Sequence, residues 1–112
     1  MVTRRLPNYL RMYRKRAGFS QVEVARLLGT LDGAKVSRYE RNTRVPTLKT
    51  ALTYEAIFRT PVSELFAGRF QEAEREATKR AKILSERLGQ IEQSKRVVRK
   101  LEVLRRTISH RS

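Results

Sequence analysis

The chain changes character near Gly68, and that break limits its possible folds more than any other feature. Residues 1–68 hold all three prolines, four of the five glycines and seven of the eight aromatics. Residues 69–112 keep only Gly89 and Phe70 of these, and are otherwise dominated by Arg, Lys, Glu, Ala and Leu. Those residues lose little side-chain freedom in a helix. No alternating apolar run bounded by turn residues marks a strand. The expected architecture is all-α: a head of short helices over 1–68, then a helical basic tail over 69–112.

Charge narrows the function. The 112 residues carry 26 Lys+Arg against 11 Asp+Glu, a net charge of +15. Such an excess points to a polyanionic partner, nucleic acid before an anionic membrane surface. The head holds 13 basic and 5 acidic residues and the tail 13 and 6, with the excess of the tail concentrated in 95–112. The 39% apolar share is enough for a small core, so the chain is more than a basic tail.

Other classes recede. There is no cysteine, hence no disulfide, no thiol nucleophile and no Cys/His zinc site. The one histidine, His110, is the only candidate for a histidine general base and sits near the C-terminus. An enzyme is not expected, nor a cofactor or metal. No apolar run approaches the roughly 20 residues of a membrane span. Met1–Arg5 carries arginines but no apolar stretch of the kind a secretory signal needs. The expected location is cytoplasmic, in association with the nucleoid.

Punctuation divides the head into five helices. Pro7 suits the first turn of a helix in which Leu10, Tyr13 and Ala17 recur until Gly18, and the basic run Arg14, Lys15 and Arg16 reads as its solvated face. Ser20-Gln21-Val22-Glu23 is a capping box, and the helix it starts buries Val24, Ala25 and Leu28 before Gly29. Asp32 caps a third helix, with Leu31 and Val36 placed to form a hydrophobic staple. Thr47 caps a fourth, with Leu48, Ala51, Leu52, Ile57 and Phe58 as its apolar positions. Residues 61–66 form a short fifth helix closed by Gly68. In segment 20–42, two short helices meet at a tight turn, and a small Ala25 permits a close crossing. A helix of about 10–12 Å diameter fits a B-DNA major groove about 12 Å wide.

These elements, in this order, resemble the XRE family, the helix-turn-helix of phage repressors and Cro proteins. The likeness covers Tyr9 to Phe66. It rests on Leu10, Gly18-Phe19-Ser20-Gln21, Val24-Ala25, Leu28-Gly29, Val36-Ser37-Arg38-Tyr39-Glu40, Pro46-Thr47-Leu48 and Val62-Ser63-Glu64-Leu65-Phe66. It implies a five-helix bundle whose third helix reads DNA. The spacing departs from the family by one residue. Ungapped, it would bury Lys35 and Arg38, which is costly for charges. One extra turn residue within Thr30–Gly33 buries Val36 and Tyr39 instead. Glu55 stands where the family carries a small apolar residue, and an ion pair is the only role the sequence suggests for it.

In that register the exposed face of the third helix carries Gly33, Ala34, Lys35, Ser37 and Arg38. The resemblance makes Ala34, Lys35, Ser37 and Arg38 base contacts. The chemistry agrees, since Arg and Lys donate to guanine and alanine can touch a thymine methyl. Phosphate contacts are expected from Ser20 and Gln21 at the second helix start, and from Arg41, Asn42 and Arg44 after the third. Arg4 and Arg5 suit an arm reaching DNA, although a disordered end is the plainer reading.

In the tail, Ala77, Leu84, Ile91 and Val98 repeat every seven residues, the mark of a helix pairing with another helix. The stripe continues through Leu88, Leu101 and Ile108. Gly89 either lies outward in one long helix or divides the tail into a hairpin. The stripe can make a homodimer, pack on the head or hold another protein. Dimerisation through Leu84, Leu88, Ile91, Val98 and Leu101 is favoured, because two-fold symmetry suits paired half-sites. The leading function is a sequence-specific regulator of double-stranded DNA, a repressor acting as a dimer on a palindromic operator. The alternative is an antitoxin or other interaction module whose tail holds a protein partner. A nonspecific nucleic-acid packaging protein is a third class.

Overall fold

The computed structural model describes residues 5–91 and 94–109. Arg4 of the suggested arm and His110 lie outside the described residues. Among the described residues seven helices follow in order: α1 (Leu10–Ala17), α2 (Gln21–Leu27), α3 (Gly33–Glu40), α4 (Leu48–Phe58), α5 (Val62–Leu65), α6 (Ala67–Gly89) and α7 (Lys95–Ser109). Among the described residues there is no strand. The chain divides into two compact units, residues 1–70 and 71–112, so the boundary falls within α6.

Caps written in the sequence start three of the helices. The Ser20 hydroxyl accepts from the Glu23 N–H at 3.1 Å, and Glu23 accepts from the Ser20 N–H at 2.8 Å. Asp32 accepts from the Ala34 N–H, and Thr47 from the Thr50 N–H. Each such cap stabilises its helix by about 1 kcal/mol. Pro7 lies before α1 rather than in its first turn; there the Asn8 side chain accepts from the Leu10 N–H and donates to the Tyr39 carbonyl. Leu31 is 81% exposed, so the expected staple with Val36 does not form. Glu55 finds its role at α5. That helix starts after Pro61, which has no capping side chain, and Glu55 Oε1 accepts from the Val62 N–H at 2.8 Å.

The core of the first unit gathers one or two residues from each of α1 to α5. Leu10, Val24, Ala25, Val36 and Leu65 are fully buried, with Tyr39, Ala51, Tyr54 and Phe66 around them. Burying a side chain of Leu or Val size contributes about 1.5–3 kcal/mol. On α4 the inward positions are Ala51 and Tyr54, while Leu48 and Leu52 of the expected stripe are exposed. Tyr54 is the hub: Tyr39 and Phe66 meet it edge-on at 6.3 Å, and Phe58 stacks at 6.2 Å. Gly68 does not close α5 but lies inside α6, where its N–H donates to the Leu6 carbonyl at 2.9 Å. A Cβ at Gly68 would stand 2.4 Å from that oxygen.

The second unit is an antiparallel helical hairpin. Thr78 and Ala81 of α6 and Val97 of α7 are buried. Glu74 and Ala77 share a hollow of about 440 Å³ with Val103, Arg106 and Thr107, which brings the start of one helix beside the end of the other. The tail is therefore two helices, and the seven-residue repeat does not run through one rod. Ile91 falls in the connection and Val98 on α7.

Candidate nucleic-acid interface

The turn between α2 and α3 decides which side of α3 faces solvent. Gly29 adopts φ +88°, a left-handed conformation that glycine reaches without a Cβ penalty. Thr30 to Asp32 then carry the chain to α3, and Val36 and Tyr39 turn inward with 0% and 7% exposure. Ala34 and Arg38 are exposed on the opposite side, and Lys35 and Ser37 are half-buried beside them. Gly33 differs from the expectation. A Cβ there would meet Val22 Cγ2 at 3.1 Å, so it serves the close approach of α2 rather than the solvent face. Among the described residues, no protein group pairs with the Arg38 guanidinium. Its carbonyl, by contrast, accepts from both the N–H and the hydroxyl of Thr43, which fixes the chain leaving α3.

Beside this face lies a polar hollow of about 500 Å³. Arg11, Ser20, Gln21, Ser37 and Arg41 rim it, over a floor made by Arg14 and Glu40. The floor is a forked ion pair. Arg14 Nε donates to Glu40 Oε2 at 2.6 Å and a terminal nitrogen donates to Oε1 at 3.1 Å. The other terminal nitrogen donates to the Phe19 carbonyl at 3.0 Å. The Glu40 side chain is only 3% exposed. Its hydrogen bond raises the Arg14 guanidinium above an already high range, against the opposing effect of burial. Two-point Arg–carboxylate geometry fixes orientation as well as charge, and loss of either partner would leave an uncompensated buried ion.

Arg14 thus departs from the solvated reading, while Lys15 and Arg16 are exposed as expected. A signal for its burial was present in the sequence: Arg14 lies four residues after Leu10, on the same stripe of α1. Arg11 is a second residue that sequence reasoning passed over, an exposed cation on the rim.

The residues expected to hold phosphate occupy varied settings. The Ser20 hydroxyl and N–H are engaged in the capping box, which holds the Glu23 carboxyl below its usual range. Gln21 Nε2 donates to Glu40 Oε1 at 3.2 Å, so the buried pair positions its amide at the rim. Arg41 and Arg44 are exposed. Asn42 takes φ +60° just past α3, and its carboxamide oxygen accepts from Arg69 Nε at 2.7 Å, leaving its amino group available. The five residues expected at a dimer interface are not equivalent. Leu84, Ile91 and Val98 are exposed, whereas Leu88 and Leu101 are half-buried.

Residues 10–65, half of the chain, match the family described as Helix-turn-helix. The chain belongs to the XRE family of helix-turn-helix proteins. Searches of curated proteins and of solved structures gave no match. The XRE-family match spans α1 through α5 and includes both the third-helix face and the rim, and it makes the protein a DNA-binding regulator of the XRE type. Among the described residues, no group of acidic residues or histidine is placed to hold a metal ion, and no helix is long and apolar enough to cross a membrane.

Proposed function

We propose that this XRE-family protein is a sequence-specific repressor that binds a palindromic operator as a dimer, working on the nucleoid in the cytoplasm. The observation that carries the reading is Arg38, exposed and without a partner among the described residues, on the side of α3 opposite Val36 and Tyr39. Arg38 donates to guanine O6 and N7, Lys35 and Ser37 reach neighbouring base edges, and Ala34 meets a thymine methyl. The rim holds the backbone: Ser20, Gln21, Arg41, the Asn42 amide and Arg44 contact phosphate, with Arg11 added to the set. Dimerisation draws on Leu84 and Val98, large apolar side chains left exposed by the hairpin. A dimer seated on its operator represses by excluding other proteins from that duplex.

Selection from a random duplex library, with molecular mass measured on the same sample, tests this directly. The expected result is a palindrome with half-sites spaced by about one helical turn, or a multiple of it, and twice the 13.1 kDa chain mass. Arg38→Ala should relax preference at one base position, with about 1–3 kcal/mol of discrimination lost there. Arg44→Ala should weaken every duplex alike. Equal loss on all sequences from Arg38→Ala would refute base reading. An unsymmetrical site bound by a monomer would refute the dimer. Recovery only as a tight heteromer with weak DNA binding would move the protein to the interaction-module class.

A further inference from the structure

Helix α7 carries Lys95, Arg96, Arg99, Lys100, Arg105 and Arg106 against a single acid, Glu102, and all seven are exposed. Its apolar side is already occupied: Val97 is buried, and Leu101, Leu104 and Ile108 are half-buried on the same stripe. The cations therefore spread over the rest of the surface, with Lys95, Arg99 and Arg106 in a row opposite Val97, about 16 Å long. Among the described residues the ion pairs are Arg14–Glu40 and Arg80–Glu76, and none of these six cations pairs with a described carboxylate. The other helix of the hairpin is different. Within its part of α6, Arg75, Lys79, Arg80, Lys82 and Arg87 are interspersed with Glu72, Glu74, Glu76 and Glu86.

This concentration works against α7 as an isolated helix. Lys95 and Arg96 occupy a first turn that has no acid, where the helix dipole disfavours cations. Like charges three and four residues apart also repel. A bound polyanion removes both penalties.

We infer that the outer ridge of α7 is a second nucleic-acid surface, one that grips the phosphate backbone of duplex DNA without reading its sequence. The fold argues for the duplex over other polyanions. A helix lying on a membrane needs a continuous apolar face to bury among lipid chains; the Val97, Leu101, Leu104 and Ile108 stripe of α7 is turned into the hairpin, and the exposed Val98 and Val103 lie apart on either side of it. A single-strand platform stacks bases on aromatic side chains, and residues 71–112 contain no Phe, Tyr or Trp. On the side opposite Val97, what remains exposed is charge, which suits phosphate contacts. The ridge acts independently of α3 and does not rest on the operator reading.

The test uses the full chain and a labelled duplex of random sequence, with affinity followed by fluorescence anisotropy across a salt series. Lys95→Gln, Arg99→Gln and Arg106→Gln are combined, because glutamine keeps helix propensity while removing charge. A control combines Lys79→Gln, Lys82→Gln and Arg87→Gln on α6, with the same change in net charge. Circular dichroism checks that both variants keep the parent's helix content. The ridge variant should flatten the log–log salt slope by about 0.9 for each phosphate it no longer neutralises, nearly three in all. The control should change it by less than one. On a selected operator, the ridge variant should keep the parent's ratio of specific to random affinity. An unchanged slope, or equal flattening by both variants, would overturn the inference. So would a loss confined to anionic vesicles or single-stranded RNA, which would assign the ridge to that partner instead. Failure to select any operator would sink the proposed repressor and leave this measurement on random duplex standing.

Discussion

Tyr54 places a phenol in the middle of the first unit with 1% exposure, and its hydroxyl has no hydrogen-bond partner among the described residues. Burial pushes the phenol pKa far up, and the nearby Glu40 carboxylate adds to the rise, so the group stays neutral. An unsatisfied buried hydroxyl costs about 1–3 kcal/mol, while the ring itself supplies contacts to Tyr39, Phe58 and Phe66. Tyr54→Phe is therefore expected to hold or raise the melting temperature, by about 4–8 °C for each kcal/mol gained. A clear fall in a thermal melt would show that the hydroxyl has a partner after all. The third-helix residues were open to sequence reasoning because a charge and an apolar group one position apart cannot trade places without a large desolvation cost. That argument placed Val36 and Tyr39 inward. It failed for Arg14, because burial of that charge depends on Glu40, 26 positions along the chain.

Helix boundaries divide in the same way. Ser20, Asp32 and Thr47 cap through neighbours two or three residues away, and such short-range hydrogen bonds can be found by scanning the chain. Glu55 capping α5 crosses seven residues and a helix end, and it needed the turn around Arg59 to bring the carboxylate back. The start of α6 is held by contacts that no local pattern reveals. Gly68 lies against the Leu6 carbonyl and Pro7 Cα, both backbone atoms that cannot swing aside. Gly68→Ala should thus destabilise the first unit by about 1–3 kcal/mol or more through overpacking. Chemical denaturation would show it as a lower midpoint with an unchanged slope. A midpoint equal to the parent's would mean that the 6–7 segment can move away.

For the chain as a whole, net charge +15 and a divided architecture point the same way. The first unit carries the exposed face of α3, and the hairpin carries the exposed Leu84 and Val98 and a basic ridge. The proposed dimer can be tested at Leu84, which is 45% exposed on α6 and outside the core of the first unit. Leu84→Glu should shift the mass from dimer to monomer in sedimentation and weaken operator binding by more than tenfold. The helix content and the melting of the first unit should stay as they were. An unchanged dimer mass would place self-association elsewhere on the chain.

Periodicity, caps and the distribution of glycine, proline and charge are properties of neighbouring residues, and they sufficed for an all-α chain, the order of the first five helices and the inward turn of Val36. They left two alternatives for the tail, because a seven-residue repeat and a lone Gly89 suit a rod and a hairpin equally. Packing chose the hairpin by burying Thr78, Ala81 and Val97. Packing likewise set the floor beneath the polar rim, joining Arg14 on α1 to Glu40 on α3 and thereby positioning Gln21. The Leu10 stripe marks Arg14 for the inside, but burial of a charge also needs a distant partner, and nothing local to Arg14 points to Glu40.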